Sequence, residues 1–380
     1  MTVAVRSFAK INVGLYIGAA RADGFHDLRT VYQTIALHDV IRVGVERGRG
    51  SRVEILCDNP RVPLDSSNTC YRIAELAMSA LGATGRVTIE IEKRLPVLGG
   101  LGGASSNAVA TMIALERVLE RDMLTSGAKA LKDKARSNAA REVLRHPKSQ
   151  TEPLTKALSE VERLRIAAAV GSDLPLFLVG GTVLGVGRGE EVYPVADLPS
   201  LPVVVVMPEI GVSTARAFAD WDALVESGAA FGSAIVPMRD ARQLTLPARS
   251  DRLFLVGCAL SAWLTGGKNS GYPNTGASAK GGSRAGKLLS DLVRTGIEND
   301  FERVVFPQYP ELRDIKGALE SAGAKYASLS GSGSTLYGLF RSSAEAAKAA
   351  GRLRRQGLKA VATRTLRRPE YWKGLFASGL

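Results

Sequence analysis

The sequence predicts an α+β fold with two packed domains. Alternating polar and apolar residues at 2–17 and 29–46 indicate long strands near the N-terminus. The C-terminal third alternates helical and strand periodicities, which is the ordering of a sandwich with helices on one face of a sheet. With 380 residues, the chain is also long enough for two hydrophobic cores.

The elements of the first half surround a glycine-rich segment. Further strands are predicted at Ser51–Cys57, Arg86–Lys93, Leu176–Val179 and Val183–Gly187. Apolar residues at helical spacing predict helices at Asn68–Leu81, Asn107–Glu120 and Leu164–Val170. The charged stretch at 129–165 is helix-prone, and prolines break it into pieces.

A second domain is predicted to begin near Pro199–Pro208, an apolar run between prolines that is typical of a buried strand. We therefore divide the chain into residues 1–195 and 196–380. Gly266–Lys287 has no apolar periodicity and many Gly, Ser and Asn residues, which predicts a mobile loop. The last elements are predicted to be helices at Glu311–Ala322 and Ser343–Gln356 and strands at Ala327–Leu329, Leu336–Phe340 and Ala360–Thr365.

The composition is that of an ordinary globular protein, with 45% hydrophobic and 23% charged residues. No apolar run approaches the roughly 20 residues of a membrane-spanning helix, and the N-terminus lacks the features of a signal peptide. We therefore expect a cytoplasmic protein without a membrane partner. Cys57, Cys70 and Cys258 are too few and too scattered for a disulfide framework or a zinc site, so reduced cysteines are expected.

The formal net charge of +13 is concentrated in two segments. Residues 129–165 hold ten Lys/Arg and five Asp/Glu (+5), and residues 341–373 hold ten Lys/Arg and two Asp/Glu (+8), so the rest of the chain is neutral. Each segment fits a solvated basic helix face, and each could also attract anions. The charge alone does not decide between these meanings.

The glycine-rich segment has the composition of a polyphosphate-binding loop. In order it reads Pro96, Val97, Leu98, Gly99, Gly100, Leu101, Gly102, Gly103, Ala104, Ser105, Ser106 and Asn107. The glycines let backbone amides approach an anion, and the following helix points its unpaired amides and positive dipole end at the loop. The pattern is neither a Walker A loop nor a Rossmann fingerprint. The alternative is a flexible turn between strand and helix.

With this loop the chain resembles the GHMP kinases, and within them the 4-diphosphocytidyl-2-C-methyl-D-erythritol kinases. The matching segments, which span most of the chain, are Ser7–Val13 (SFAKINV), Arg21–Leu28 (RADGFHDL), Gly171–Phe177 (GSDLPLF), Asn299–Glu302 followed by Pro307–Leu312, and Leu329–Thr335 (LSGSGST). The A-K-I-N and D-G-(Y/F)-H patterns together are specific to this family. The glycine loops are shared across the superfamily.

The resemblance implies a kinase that uses ATP and Mg²⁺ to phosphorylate the 2-hydroxyl of 4-diphosphocytidyl-2-C-methyl-D-erythritol, in the non-mevalonate route to isoprenoid precursors. It implies a ribosomal-S5-domain-2-like, ATP-binding domain at residues 1–195 and a ferredoxin-like domain at 196–380. The active site would lie between them. The implied partner is this small molecule, without nucleic acid, and the implied state is a monomer or weak homodimer.

The same resemblance assigns catalytic and metal-binding roles. Asp173 would accept the proton of the attacking hydroxyl, and Lys10 would hold that carboxylate ionised and offset charge on the γ-phosphate. Residues 96–106 would bind ATP, and Ser106 would contact the metal ion. From the residues alone, Asp173 could instead be an N-cap or turn aspartate, and Lys10 the solvent-facing member of its strand.

Recognition of the substrate is assigned to a second group of residues. Asn12 shares the strand face of Lys10, while Phe25 would stack on cytosine and His26 would read the base edge. The family usually has tyrosine where Phe25 stands. The remaining substrate contacts are Thr214, Gly331 and Gly333.

Two departures from the family pattern concern length and one loop position. Excess sequence falls at Asp122–Arg163 and Asp222–Lys287, and Ala104 replaces a common glycine. The alternatives are another GHMP kinase such as homoserine or mevalonate kinase, a basic nucleic-acid-binding protein on the S5-like topology, and a non-catalytic family member. The Asp-Gly-Phe-His segment counts against the first, and Lys10 with Asp173 counts against the last.

Overall fold

The computed structural model describes residues 2–138, 157–227 and 297–376. The predicted mobile loop Gly266–Lys287, Cys258, residues 139–156 of the first long insertion and residues 228–287 of the second lie outside these residues. Within them, the protein builds two β-sheets with helices packed on each, so the predicted α+β class is confirmed.

The first sheet grows from a long antiparallel hairpin. Its strands are β1 (Thr2–Ala20), β2 (His26–Arg47), β3 (Ser51–Leu56), β4 (Gly85–Glu92), β5 (Thr182–Val186) and β6 (Glu191–Pro194). The order is β3-β4-β2-β5-β6, and β1 pairs additionally with β2. The β1–β2 register places Lys10 opposite Thr34 and Asn12 opposite Tyr32.

Four helices cover one face of this sheet: α1 (Thr69–Leu81), α2 (Gly103–Asn138), α3 (Glu160–Val170) and α4 (Leu174–Val179). Local sequence fixes their ends. The Asn68 side chain caps α1 by accepting from the amide of Cys70, and Gly82 ends that helix in the left-handed conformation. Ser159 and Glu162 form a capping box at the start of α3.

Two predicted elements differ from the structure. The apolar run Leu176–Val179 is part of helix α4 and not a strand, because Pro175 starts a helical turn and Gly180 ends it at a φ of 68°. A short apolar run fits the helical period and the strand period equally, so periodicity could not decide between helix and strand here. Helix α2 begins at Gly103 and not at Asn107, which places Ala104–Ser106 in its first turn.

The second half forms a four-stranded antiparallel sheet. Its elements are β7 (Pro202–Val206), α5 (Thr214–Glu226), α6 (Glu302–Gln308), α7 (Pro310–Ser321), β8 (Tyr326–Leu329), β9 (Leu336–Leu339), α8 (Ser343–Arg355), β10 (Ala360–Arg364) and α9 (Arg368–Leu375). The order β10-β7-β9-β8, with α7 packed on β8 and β9 and α8 packed on β7 and β10, is the predicted ferredoxin-like arrangement. The sequence analysis did not identify β6, α5, α6 or α9.

Strand β7 joins the two halves. Val204 and Val206 point to the helices of the second half, while Val203 and Val205 pack in a core shared with the first sheet. Burial on both faces explains its unbroken run of valines. Helix α9 returns to the first half, where Tyr371 donates to the carbonyl of Phe177 at 2.6 Å. The division at residue 195 stays a prediction.

Two further expectations concern membranes and cysteines. Among the described helices, none is long and apolar enough to cross a bilayer. Cys57 and Cys70 are both free thiols, and burial raises the pKa of the Cys70 thiol to about 12. A buried thiol with such a pKa is a poor nucleophile at neutral pH, as expected for a structural cysteine.

Candidate active site

Lys10 and Asp173 form an ion pair where β1 meets the start of α4. Lys10 Nζ lies 3.3 Å from Asp173 Oδ2, and the lysine side chain is only 4% exposed whereas the aspartate is 33% exposed. Asp173 occupies the N-cap position of α4, but its side chain makes no capping hydrogen bond. The carboxylate is partly exposed and is not used to cap the helix, so the interpretation of Asp173 as an N-cap aspartate does not fit its geometry.

Tyr32 supplies a second contact to the same carboxylate. Its hydroxyl donates to Asp173 Oδ1 at 3.0 Å, and its ring lies 5.5 Å from Lys10 Nζ. Burial, with the Asp173 charge beside it, raises the pKa of the Tyr32 hydroxyl well above its ordinary value. The phenol therefore stays protonated and remains a hydrogen-bond donor. One oxygen of Asp173 is bonded to Tyr32 and the other is paired with Lys10.

A chain of hydrogen bonds fixes Lys10 from the other side. Lys10 Nζ donates to Asn12 Oδ1 at 2.7 Å, and Asn12 Nδ2 donates to the Thr30 hydroxyl at 2.8 Å. Thr30 in turn donates to the carbonyl of Gly14 at 2.7 Å, and Tyr337 of the second sheet donates to the carbonyl of Asn12 at 2.7 Å. All these side chains are buried, so the ammonium group is held in one place.

The glycine-rich loop packs against the loop between β8 and β9. A Cβ at Gly100 would lie 2.0 Å from the carbonyl oxygen of Ser330, and one at Gly99 would lie 2.9 Å from the Thr335 hydroxyl. The Thr335 amide donates to the carbonyl of Gly99, and the Ser330 hydroxyl donates to the carbonyl of Gly100. The contact requires glycine at position 100, so two distant glycine motifs form one structure.

The loop also borders the catalytic pair. A Cβ at Gly102, whose φ is +67°, would meet Lys10 and Phe177 at 3.0 Å, and one at Gly331 would lie 3.5 Å from Lys10 Nζ. The backbone amide of Lys10 donates to the carbonyl of Leu101 at 3.0 Å. The structure thus brings Lys10, Asp173 and the two glycine loops together.

Hydroxyl contacts fix the first turn of helix α2. Ser106 is buried, donating to the carbonyl of Phe8 at 2.6 Å and accepting from the Ser7 hydroxyl at 2.7 Å. Ser105 is partly exposed, and Ala104 is exposed. The metal contact assigned to Ser106 stays a prediction, and it would require that hydroxyl to leave Phe8.

A buried carboxylate anchors the residues that lead into the loop. Asp39 accepts from Lys93 Nζ at 2.6 Å, from the amides of Arg94 and Leu95 at 2.7 Å each, and from Asn107 Nδ2 at 3.0 Å. These four donors come from both ends of the glycine-rich segment. Asp39 therefore ties the end of β4 to the first turns of α2.

Phe25 and His26 lie at the end of the β1–β2 hairpin in different surroundings. The Phe25 ring is 49% exposed, and the guanidinium of Arg188 lies 4.8 Å from its centroid. His26 is buried against α5, where its ring stacks on Phe218 with centroids 4.9 Å apart. His26 Nε2 lies 2.7 Å from Asp222 Oδ1.

The turn between β5 and β6 connects this hairpin to the catalytic pair. Arg188 contacts Phe25, while a Cβ at the next residue, Gly189, would lie 2.5 Å from the Tyr32 hydroxyl. Thr214 is linked to the site through the β8–β9 loop, where its hydroxyl bonds to Ser332 Oγ at 2.7 Å. Gly333 has a φ of +97°, its amide donates to the carbonyl of Ser330 at 3.0 Å, and its own carbonyl faces Gly100 of the glycine-rich loop.

The sequence analysis missed several residues of the site. Tyr32 carried no sequence signal of its own, and only the observed hairpin register places it opposite Asn12. Asn299 donates to the carbonyls of Leu329 and Gly331, and so shapes the β8–β9 loop. Phe218 and Asp222 carried no recognisable signal, because their helix was not predicted. Their role depends on which helix packs against the hairpin.

Known proteins of similar sequence and structure point to one group of enzymes. The sequence profile of the GHMP kinases N terminal domain matches residues 68–141, and that of the GHMP kinases C terminal region matches residues 281–359. The chain is 34% identical to the 4-diphosphocytidyl-2-C-methyl-D-erythritol kinase of Solibacter usitatus (strain Ellin6076) over 89% of this chain and 81% of that protein.

Solved structures agree. A crystal structure of a 4-(cytidine 5'-diphospho)-2C-methyl-D-erythritol kinase matches with a TM-score of 0.57 at 26% identity, covering 96% of this chain and 99% of that one. A homoserine kinase from Cytophaga hutchinsonii matches with a TM-score of 0.59 at 16% identity, covering 96% of this chain and 94% of that one. The second match shows the shared fold alone.

Proposed function

The chain belongs to the 4-diphosphocytidyl-2-C-methyl-D-erythritol kinase family of GHMP kinases, and we propose how its residues carry out that family's reaction. The enzyme transfers the γ-phosphoryl group of ATP to the 2-hydroxyl of 4-diphosphocytidyl-2-C-methyl-D-erythritol, a step toward isoprenoid precursors. A bond forms between the hydroxyl oxygen and the γ-phosphorus, the bond from that phosphorus to ADP breaks, and the hydroxyl proton leaves to a base.

The single observation that carries the mechanism is the double contact to Asp173. Lys10 and Tyr32 each engage one carboxylate oxygen, so the side chain cannot rotate freely. Both oxygens keep lone pairs, and the carboxylate is one-third exposed. Asp173 therefore receives the proton of the attacking hydroxyl. The Lys10 ammonium offsets negative charge that gathers between the carboxylate and the transferred phosphoryl group.

ATP is held by residues 96–106. The backbone at Leu98, Gly100 and Gly102 is left-handed, a conformation found in loops whose amides bind anions, and the first turn of α2 adds its unpaired amides. The exposed edge of this turn, at Ala104 and Ser105, is where phosphate oxygens would bind.

Mg²⁺ fits a site of this kind. Over the described ranges, no group of three or more His, Cys, Asp or Glu side chains could hold a metal ion alone. Mg²⁺ on ATP is bound mainly by phosphates and water, and it needs only one or two protein ligands. Ser105 and Asp173 are accessible and could supply them, with Ser106 as the originally predicted ligand. The ion would neutralise phosphate charge.

The cytidine end of the substrate is placed at the hairpin tip. Phe25 presents an exposed ring on which cytosine can stack, and phenylalanine preserves that stacking where relatives have tyrosine. We assign the remaining acceptor contacts to His26, Asn12, Thr214, Gly331 and Gly333, because Asn12 bonds to Lys10 and Thr214 bonds to Ser332 in the β8–β9 loop. The glycine loop thus binds ATP, the phosphoryl donor, and the hairpin binds the diphosphocytidyl substrate, the phosphoryl acceptor.

The test is release of ADP, measured with and without the diphosphocytidyl substrate. The wild type should show substrate-stimulated turnover, and Asp173→Asn should lose about 10²–10⁴-fold in kcat, the usual contribution of a positioned base. Asp220→Asn, on the surface of α5, is the matched control and should keep full activity. No stimulation by the substrate in the wild type would refute the proposed activity, and full activity in Asp173→Asn would refute the assigned base.

The same preparation addresses two remaining predictions. A nucleic-acid-binding function would give steeply salt-dependent binding to RNA that does not need Asp173. Sedimentation analysis would show whether the enzyme is the predicted monomer or weak homodimer.

A further inference from the structure

One face of helix α5 lies against the hairpin and the β8–β9 loop. Thr214, Phe218 and Asp222 are four residues apart, so they share a single face of the helix. The Thr214 hydroxyl bonds to Ser332, the Phe218 ring stacks on His26, and Asp222 Oδ1 lies 2.7 Å from His26 Nε2. Two of the three contacts are made to one histidine.

We propose that Asp222 is a positioning residue that fixes both the orientation of His26 and the nitrogen that carries its proton. The consequence is that the site can distinguish a cytosine base from a uracil base. This inference rests on the proposed function, because it takes His26 to face the base of the substrate.

The orientation of His26 is fixed by two perpendicular contacts. The interplanar angle with the Phe218 ring is 13°, so stacking sets the plane of the imidazole. The bond from Nε2 to Asp222 sets the rotation of the ring within that plane. Phe218 is itself held by an edge contact with Phe301, 5.0 Å between centroids, so the stack has a firm support.

The protonated nitrogen follows from the chemistry of the partner. An ionised carboxylate only accepts hydrogen bonds, so the Nε2 atom that bonds to Asp222 carries the hydrogen. In the neutral imidazole, Nδ1 then carries a lone pair. Within the described part of the chain, Nδ1 makes no hydrogen bond to protein. Aspartate sets the histidine tautomer in the same way in Ser-His-Asp hydrolases.

A lone pair at this place favours one pyrimidine. Cytosine carries an amino group at C4, which donates hydrogen bonds, whereas uracil carries an oxygen there, which accepts them. An acceptor at His26 Nδ1 pairs with the amino group of cytosine and faces the lone pairs of the uracil oxygen. Sites that hydrogen-bond a substrate group reject the analogue that lacks it far more strongly than apolar pockets do.

The kinetic test compares Asp222→Asn with Asp220→Asn. Asparagine keeps the size of the side chain, but its amide can also donate to Nε2 and so permits the other tautomer. Asp220 lies on the same helix, but its carboxylate pairs with Arg216 at 3.7 Å and accepts from Gln308. Its substitution therefore controls for changes to the helix itself.

The readout is kcat/KM for the cytidine substrate divided by kcat/KM for its uridine analogue, at pH 8.5. In Asp222→Asn this ratio should fall about tenfold to a hundredfold, the range for leaving one buried hydrogen-bonding group unpaired, through a higher KM for the cytidine substrate. The kcat and the KM for ATP should not change. Asp220→Asn should keep the wild-type ratio.

A second measurement reports the tautomer without any turnover. The chain has three histidines, so the side-chain ¹⁵N signals of His26 can be assigned by comparison with His26→Gln. We expect the wild type to show hydrogen on Nε2, and Asp222→Asn to show a mixture of tautomers.

The outcomes separate the inference from the proposed function. If the wild type shows no turnover with the cytidine substrate, the proposed function fails. If the wild type is active but Asp222→Asn keeps both the base preference and the Nε2 tautomer, the inference alone is refuted. Equal loss for both substrates, with a higher KM for ATP, would also refute it, because that pattern indicates a structural role.

Discussion

Substitution of Gly100 by alanine tests whether contact between the two glycine loops holds the ATP loop in place. Gly100 has a φ of +74°, and a Cβ there would lie 2.0 Å from the carbonyl oxygen of Ser330 and 3.1 Å from that of Gly333. Since Cβ atoms essentially never approach other atoms within 3.0 Å, the two loops would have to separate by about 1 Å. Both obstacles are backbone atoms, so no side chain can rotate away.

The expected loss follows from two separate terms. Alanine in the left-handed conformation costs about 1–2 kcal/mol in the free energy of unfolding. The displacement of the loop acts on catalysis, because a misplacement of about 1 Å can reduce the rate on the order of a hundredfold. We therefore expect Gly100→Ala to lose about a hundredfold in kcat/KM for ATP, with a smaller change in KM for the acceptor.

Gly357→Ala is the control that separates backbone strain at a positive φ from the collision of a Cβ with neighbouring atoms. Gly357 has a φ of +83°, and a Cβ there would meet no atom within 4 Å. Alanine at 357 should therefore cost a similar 1–2 kcal/mol in urea unfolding but leave ADP release unchanged. The measurements are steady-state ADP release, with ATP and acceptor varied separately, and urea unfolding of both variants.

Two results would refute this reasoning. If Gly100→Ala keeps the wild-type kcat and KM for ATP, then the loops do not need to be in contact. If Gly357→Ala loses activity to the same extent, then the loss in Gly100→Ala reflects general strain and not the local collision.

Three further predictions concern Tyr32, Asp39 and His38. Tyr32→Phe removes a hydrogen bond to the Asp173 carboxylate, worth about 1.5–3 kcal/mol, so kcat should fall about tenfold to a hundredfold in the ADP-release assay while the KM for ATP stays unchanged. Asp39→Asn leaves the buried Lys93 ammonium without its counter-charge, so the free energy of unfolding in urea should fall by about 3–5 kcal/mol. Burial lowers the pKa of His38 below its ordinary value, so the unfolded chain binds the proton of this histidine more tightly than the folded chain does. The free energy of unfolding in urea should therefore fall as the pH drops below about 6.5. His38→Gln should weaken this pH dependence.

Controls for these three predictions are available in the same chain. Tyr193→Phe changes an exposed tyrosine of β6 and should leave kcat unchanged. Asp65→Asn changes an exposed turn before α1 and should hardly affect unfolding. The prediction for Tyr32 fails if its variant matches Tyr193→Phe, and that for Asp39 fails if its variant matches Asp65→Asn. An unaltered pH dependence in His38→Gln would remove His38 as the cause.

Local sequence determined most of the regular structure. Strand alternation placed Lys10 and Asn12 on one face of β1, and their side chains do bond at 2.7 Å. Periodicity failed at Leu176–Val179, where a short apolar run fits helix and strand equally, and the proline and glycine at its ends decided for helix. It also missed α5, although Ser213 caps its start and Trp221 is buried on its inner face.

The motifs of the candidate site could be found one at a time, but not their contacts. The glycine-rich loop, the A-K-I-N strand and the Gly171–Phe177 segment each have a recognisable pattern, because each depends on neighbouring residues. Tyr32 has no pattern of its own. Its contact with Asp173 joins residues 141 positions apart in the sequence, and it exists only because β2 and α4 meet.

The sequence by itself determined the α+β class and the glycine loop, because strand period, glycine backbone freedom and helix dipoles are local properties. The residues for phosphoryl transfer were assigned through the resemblance of short motifs to those of the GHMP kinases. The tertiary structure alone decided that Tyr32 shares Asp173 with Lys10, that Ser330 requires glycine at position 100, and that α5 brings Asp222 to His26. These contacts depend on how β-sheets and helices pack over long separations in sequence. Hydrophobic burial drives that packing, and it is nearly indifferent to which polar side chains it brings together.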